Sequence, residues 1–259
     1  MIIQPLASGS KGNLTLIQSE NAKILVDQGL SAKQAAFRLQ DAGHNPNDIQ
    51  AIFITHEHGD HIGGVRVFAK KYKIPVYINS NILPIARMKK NFDEIKDVRI
   101  FNPSDDIEFM DLILHPFRVS HDAIDTVNFI IKNKDKSVGI FTDLGFVNNL
   151  VKMKAQSIDL MILEANHDLN MLKNGTYPLE LQQRIKSKFG HLSNEQSVNF
   201  LIETLKNNKI DNVILAHLSE ENNDPNLAID YFLEKLEKTN NFVKLTIAKQ
   251  HKITKRFEI

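Results

Sequence analysis

The segment Ile52-Phe53-Ile54-Thr55-His56-Glu57-His58-Gly59-Asp60-His61-Ile62-Gly63-Gly64 constrains this chain more than any other. Its apolar start reads as a short buried strand, and the glycines after His61 can open a helix, so the polar cluster lies at a strand-to-helix turn. Three imidazoles and one or two carboxylates packed into so short a loop are costly to desolvate without a cation between them. His56 and His58, two apart on an extended segment, point the same way, whereas on a helix they would stand about 200° apart. One metal ion can take both. The chain contains no cysteine, so any metal must be held by His, Asp or Glu and no disulfide framework exists.

Strands are expected at residues 2–7, 14–18 and 23–27, opening as a β-meander, with Ser8-Gly9-Ser10-Lys11-Gly12-Asn13 as a tight loop. The glycines, hydroxyls and backbone N–H groups of that loop can cradle a phosphate or carboxylate, and a plain hairpin turn fits equally well. Ser8, Gly9, Ser10 and Asn13 are therefore candidate substrate contacts. Ser31 can cap a helix with Ala35, Ala36, Leu39 and Ala42 on its apolar face, ending at Gly43. After the His loop come a helix to Tyr72, a strand at 75–78 and a helix at 82–90. Strands then dominate, at 99–101, 107–109, 112–119, 126–132 and 137–141. A strand at 160–164, helices at 179–188 and 194–207, a strand at 212–216, a helix at 226–238 and a strand at 243–247 complete the order. Two sheets flanked by helices follow. With 259 residues, 42% of them apolar, and no linker-like tract or repeat, one domain spanning 1–259 is expected.

The first residues lack a signal-peptide pattern and no apolar run approaches a membrane span, so a soluble cytoplasmic protein is expected, with no membrane partner. A net charge of +1 neither requires nor excludes a polyanionic ligand. Lys70-Lys71-Tyr72-Lys73, Arg87-Met88-Lys89-Lys90 and the tail from Lys249 to Arg256 can line a phosphate-binding groove or simply face solvent.

The pattern His56-X-His58-X-Asp60-His61 resembles the signature of the metallo-β-lactamase-fold metallohydrolases. That resemblance implies an α/β (α+β) fold, the metallo-β-lactamase αββα sandwich. It also implies a later His, a bridging Asp and a last His, each after a strand, and His121, Asp143 and His217 stand in such places. The implied centre has one metal on His56, His58 and His121, a second on Asp60, His61 and His217, and Asp143 as bridge, with Asp27 bracing the loop. Water between two divalent ions loses a proton near neutrality and becomes a hydroxide nucleophile. Two-metal hydrolysis with Zn2+ or Mn2+ is thus implied.

Gly190-His191-Leu192-Ser193 is similar to an element of the phosphodiesterase branch of this fold, which includes the tRNA 3′-processing enzymes, and this casts His191 as general acid, a surface loop histidine being the alternative. Glu164 can orient His191 and Asn166 can meet phosphate, or either can be structural, and His167 is an outside candidate. Together with Glu164-Ala165-Asn166-His167-Asp168 and His217-Leu218-Ser219-Glu220-Glu221-Asn222-Asn223, these motifs look like the YycJ (WalJ, VicX) family. The resemblance implies a 5′-to-3′ DNA exonuclease acting in DNA metabolism, with nucleic acid as partner, DNA ahead of RNA, and His191, Asp60 and Glu164 as catalytic residues. The oligomeric state stays open. The intervals between His121, Asp143 and His191 leave no room for the inserted domain or protruding arm of larger relatives, so a minimal catalytic domain is expected. A small-molecule metallohydrolase (lactonase, thioesterase or cyclic phosphodiesterase) and a metal-stabilised regulatory module are the alternatives. If nucleic acid is gripped by short basic segments alone, binding should be strongly salt-sensitive.

Overall fold

The computed structural model describes residues 1–259. Its elements fall into two units interleaved along the chain: Met1–Arg118, Ala123–Asp135 and Ala248–Ile259 form the first, and Val119–Asp122 with Lys136–Ile247 the second.

The first unit opens with β1 (Ile2–Ala7), β2 (Leu14–Gln18) and β3 (Lys23–Val26). These pair antiparallel, with Ile3 opposite Ile17 and Leu16 opposite Leu25. Helix α1 (Ala32–Asp41) follows, with Ser31 accepting from Gln34 N at its start and Ala35 and Leu39 buried. Burying one leucine contributes about 2 kcal/mol. The sheet then continues in parallel through β4 (Ala51–Phe53), the short α2 (Gly59–Ile62) and α3 (Val65–Tyr72), β5 (Val76–Asn79), α4 (Leu83–Lys90) and β6 (Val98–Phe101). Parallel neighbours require crossovers, which the helices supply. β4 and β5 are wholly buried, as expected of parallel strands covered on both faces. The hairpins of β7 (Ile107–Phe109), β8 (Leu112–Arg118) and β9 (Val127–Asn133) are antiparallel. Along β8, buried Leu112 and Leu114 flank exposed Ile113, the alternation of a half-covered sheet.

In the second unit, β10 (Lys136–Phe141), α5 (Asn149–Lys154), β11 (Leu160–Glu164), α6 (Leu169–Asn174), α7 (Leu179–Lys186) and α8 (Asn194–Leu205) lead to β12 (Asn212–Ala216), α9 (Pro225–Lys238) and β13 (Lys244–Ile247). The four strands lie parallel in that order, with Ile140 opposite Ile162 and Ile162 opposite Ile214. Strand β14 (Phe257–Glu258) returns to the first unit and pairs antiparallel with β1.

The six-residue helices α5 and α6 lie outside the sequence expectation, since neither is long enough to show a helical period; Asn148 and Asp168 cap them. A helix also starts at Gly59, ahead of the glycines that follow His61. No helix is long and apolar enough to cross a membrane. His56 to His61 follow β4, Asp143 follows β10, Glu164 ends β11 and His217 follows β12, at carboxyl ends of parallel strands, where open α/β sheets place their sites.

Candidate metal centre

In the first unit, β4 runs into His56 and His58, and α2 carries Asp60 and His61. The His56 ring centroid lies 4.7 Å from that of His58 and 4.0 Å from that of His61, and Asp60 Oδ2 is 3.3 Å from His61 Nε2. Asp27 holds this arrangement from the end of β3. Its carboxylate accepts from Thr55 N and Thr55 Oγ1, each at 2.9 Å, and from His61 Nδ1 at 2.7 Å. Thr55 Oγ1 in turn lies 2.9 Å from His56 Nδ1. At Gly29 an added Cβ would sit 1.7 Å from Asp60 O, so only glycine lets this segment approach the loop.

The Ser8–Asn13 loop packs on the same residues. Asn13 Oδ1 accepts from Gly9 N at 2.9 Å, which fixes its amide with Nδ2 at 3.2 Å from Asp60 Oδ2 and 2.9 Å from His61 Nε2. Backbone N–H groups of Gly9, Lys11, Gly12 and Asn13 go to Asn13, Gln250, Gly9 and Asp60, and Ser8 N to Lys249 O. The loop therefore offers side chains and not the open backbone cradle its composition suggests; Ser8 is buried and Ser10 exposed. Buried Glu57 accepts from Ile124 N at 3.1 Å and so holds a neighbouring loop.

In the second unit, Asp143 follows β10, Glu164 ends β11, His217 follows β12, His121 lies in Val119–Asp122 and His191 precedes α8. Asp143 Oδ1 lies 3.8 Å from His121 Nε2, 3.5 Å from His217 Nε2 and 3.8 Å from His191 Nδ1. Ligand atoms of Asp143, Glu164, His191 and His217 all fall within 4.8 Å of one another. Fully buried Glu164 binds this group together: Oε1 accepts from His191 Nδ1 at 2.7 Å and His217 Nδ1 at 3.1 Å, and Oε2 accepts from Leu144 N and Leu192 N at 3.1 Å each. Burial alone would raise the Glu164 carboxyl, but the His191 and His217 imidazoles outweigh it and hold the group far below the usual carboxylate range. At His121 burial pushes the imidazole down against the pull of Asp143, favouring the neutral form that binds metals.

The donor set fits a divalent ion on a specific count. Nδ1 of His56, His61, His121 and His217 is engaged by Thr55, Asp27, Gly190 O and Glu164 respectively, which makes Nε2 the atom each could offer a metal. Ligands about 2.1 Å from one tetrahedral ion stand about 3.4 Å apart, close to the Asp143–His217 spacing. Asp27, Asp143 and His217 also share left-handed backbone, with φ of 58°, 55° and 54°. Such conformations disfavour side chains and concentrate at functional sites.

Asn166 uses its side chain within the protein, donating from Nδ2 to His217 O at 2.9 Å. Its segment is clamped by Asn166 N to Leu192 O and Asn194 N to His167 O, and beside it Asn194 and Asn223 exchange side-chain amide bonds. Ser193 forms a capping box with Gln196 at the start of α8. His167 is buried with neither ring nitrogen partnered, and burial pushes its pKa to about 4. His44 and His115 stand apart from both donor sets, on Gln4 and Asp106. Thr55 was not distinguished by sequence; the only signal for it is a hydroxyl directly before His56.

A family model described as the metallo-beta-lactamase superfamily matches residues 8–217. The YhfI protein of Bacillus subtilis superposes with a TM-score of 0.74 at 15% identity, covering 98% of this chain and 99% of that one. PqqB from Methylobacterium extorquens gives 0.74 at 15% identity, covering all of both chains. The chain thus has the metallo-β-lactamase αββα fold and belongs to that superfamily of metal-dependent hydrolases. It is 39% identical over 225 residues to the exodeoxyribonuclease WalJ of Streptococcus pneumoniae serotype 2 (strain D39 / NCTC 7466), covering 86% of this chain and 83% of that protein. Against the exodeoxyribonuclease YycJ of Bacillus anthracis it is 35% identical over 223 residues, covering 86% and 84%. Within the superfamily, the chain is a member of the WalJ/YycJ family.

Proposed function

We propose that this chain is a metal-dependent phosphodiesterase that degrades DNA from its 5′ end. The names of its WalJ and YycJ relatives support the substrate class. In this reading His56, His58, Asp60 and His61 of the first unit, and His121, Asp143 and His217 of the second, would be the ligands of divalent ions, zinc or manganese, as likeness to that family suggests. Such ions, when bound, activate water and offset charge on the phosphate under attack.

The observation that carries the reading is Glu164 shared between His191 and His217. With Nδ1 donating to Glu164, the partly exposed His191 turns Nε2 outward as the atom that protonates the departing oxygen. The Glu164 carboxylate stabilises the imidazolium before transfer, and its second contact orients His217 as a ligand. Asn13 Nδ2 meets Asp60 Oδ2 and His61 Nε2; with that ring nitrogen taken by an ion, one of the Asn13 N–H groups would be released to a phosphate oxygen, with Ser8, Gly9 and Ser10 shaping that edge. Asn166 serves the substrate indirectly, by fixing the backbone of His217. With DNA as substrate, a bacterial cytoplasm is the compartment in which the chain would work.

The test compares metal-loaded wild type and His191→Ala on 5′-phosphorylated DNA and on bis(p-nitrophenyl) phosphate, whose leaving group departs as an anion. On DNA, kcat should fall about 100- to 10,000-fold, the usual contribution of a general acid, with a much smaller loss on the nitrophenyl ester. Equal losses on both substrates would contradict the role of His191.

A further inference from the structure

Beside His191 the second unit carries an aromatic and basic ledge that the chemistry above does not use. Phe146 is 37% exposed and Phe189 is 60% exposed. Lys188 Nζ lies 5.8 Å from the centre of the Phe146 ring and has no carboxylate partner. The two segments are in backbone contact: a Cβ on Gly145 would lie 2.1 Å from Lys188 O and 2.6 Å from Phe189 N, so any other residue there would force them apart.

The ledge is fixed to the reaction site. Ser120 Oγ donates to Lys188 O at 2.7 Å, and Gly145 N donates to Ser120 O at 2.7 Å. Gly190 O accepts from His121 Nδ1 at 3.1 Å, so the loop that displays Phe189 also orients a metal ligand. Phe189 precedes His191 by two residues, a span of at most about 7 Å of chain. That is the reach of the nucleotide next to the phosphate His191 serves.

We propose that Phe146, Lys188 and Phe189 form a stacking platform for unpaired bases at the end of a DNA strand, an inference that rests on the nuclease reading above. Phenyl faces accept any base, because every base presents a π-face, and an ammonium over the Phe146 ring suits the phosphate that joins successive bases. The combination of cation and exposed rings complements single-stranded nucleic acid better than it does an apolar protein surface, which would leave the Lys188 charge buried and unpaired. The platform makes unpaired ends better substrates than blunt ones and imposes little sequence preference.

The experiment uses the metal-loaded full chain and 5′-phosphorylated duplexes, either blunt or with a short single-stranded 5′ overhang that carries 2-aminopurine. Wild type should quench the 2-aminopurine on binding, and the Phe146→Ala/Phe189→Ala double variant should not. Its KM on the overhang substrate should rise about 5- to 100-fold, the range for losing one stacked base, with a smaller change in kcat. Phe189→Trp, which keeps a ring, should restore both readouts, and Phe242→Ala, a change at a distant exposed phenylalanine, should move neither. Unchanged KM and quenching in the double variant, while wild type digests the overhang, would overturn the platform and leave the nuclease reading intact. Turnover of bis(p-nitrophenyl) phosphate with no DNA digestion by wild type would overturn the nuclease reading itself, and the platform with it.

Discussion

The first unit draws its donors from one loop, His56 to His61, whereas the second collects its own from separate strand ends and loops between His121 and His217. The local set is braced by Asp27, acting on His61 directly and toward His56 through Thr55. The dispersed set depends on register. Pairing of Phe141 with Leu163 and of Glu164 with Ala216 brings Asp143 and His217 level, each one residue beyond Glu164, and a slip of one residue would break that alignment. Glu164 then binds two imidazoles through one oxygen, those of His217 and His191, the ligand and the proton donor of the proposed reaction. A local site can be damaged one ligand at a time; a gathered site can lose two functions with one carboxylate.

The two units should therefore differ most at their carboxylate braces. Glu164→Gln keeps the shape but removes the charge facing both imidazoles, and should lower kcat on DNA about 100-fold or more, with loss of metal. Asp27→Asn touches ligand orientation alone and should lower metal affinity about 10- to 100-fold while leaving the contrast between DNA and bis(p-nitrophenyl) phosphate as in wild type. Steady-state kinetics with metal analysis check both, and a larger kcat loss on DNA at Asp27 than at Glu164 would break the contrast.

A smaller difference lies in acid stability. His167, buried in the second unit, has its pKa pushed from the ordinary 6.5 to about 4. The folded state thus binds this proton more weakly than the unfolded chain does, so stability is retained above about pH 6.5 and falls as the pH drops toward 4, by up to about 3 kcal/mol. Urea midpoints for metal-free wild type and His167→Leu at pH 7 and pH 4.5 should show the variant losing less in acid.

The smallest effect separates two helix caps. Ser31→Ala and Ser193→Ala should each lower stability by about 1 kcal/mol, but only Ser193→Ala should also slow DNA hydrolysis, because Ser193 fixes the start of α8 two residues after His191. Thermal melts and rates on the same samples check this.

The same contrast explains what was legible in the sequence. His56, His58, Asp60 and His61 fall within six residues, so their chemistry shows in the spelling, and the order of strands around them follows from apolar runs and turn residues. That Glu164 orients His191 is suggested by the motif, but its hold on His217 depends on strands distant in sequence. The left-handed backbone at Asp27, Asp143 and His217 cannot be read from the residue types, because Asp and His, though enriched there, adopt ordinary backbone at most positions. The composition of Ser8 to Asn13 suggests an anion cradle, yet most of its N–H groups satisfy neighbouring residues. Asn166 looks available for phosphate until His217 O is found on its amide.

The most direct test of the account is a time course on duplex DNA labelled at either the 5′ or the 3′ end of one strand, with manganese- or zinc-loaded wild type. The account predicts that the 5′ label leaves at once in short products, while the 3′-labelled strand shortens step by step. Early release of the 3′ label, internal cuts, or an intact duplex under fully metal-loaded protein would contradict it.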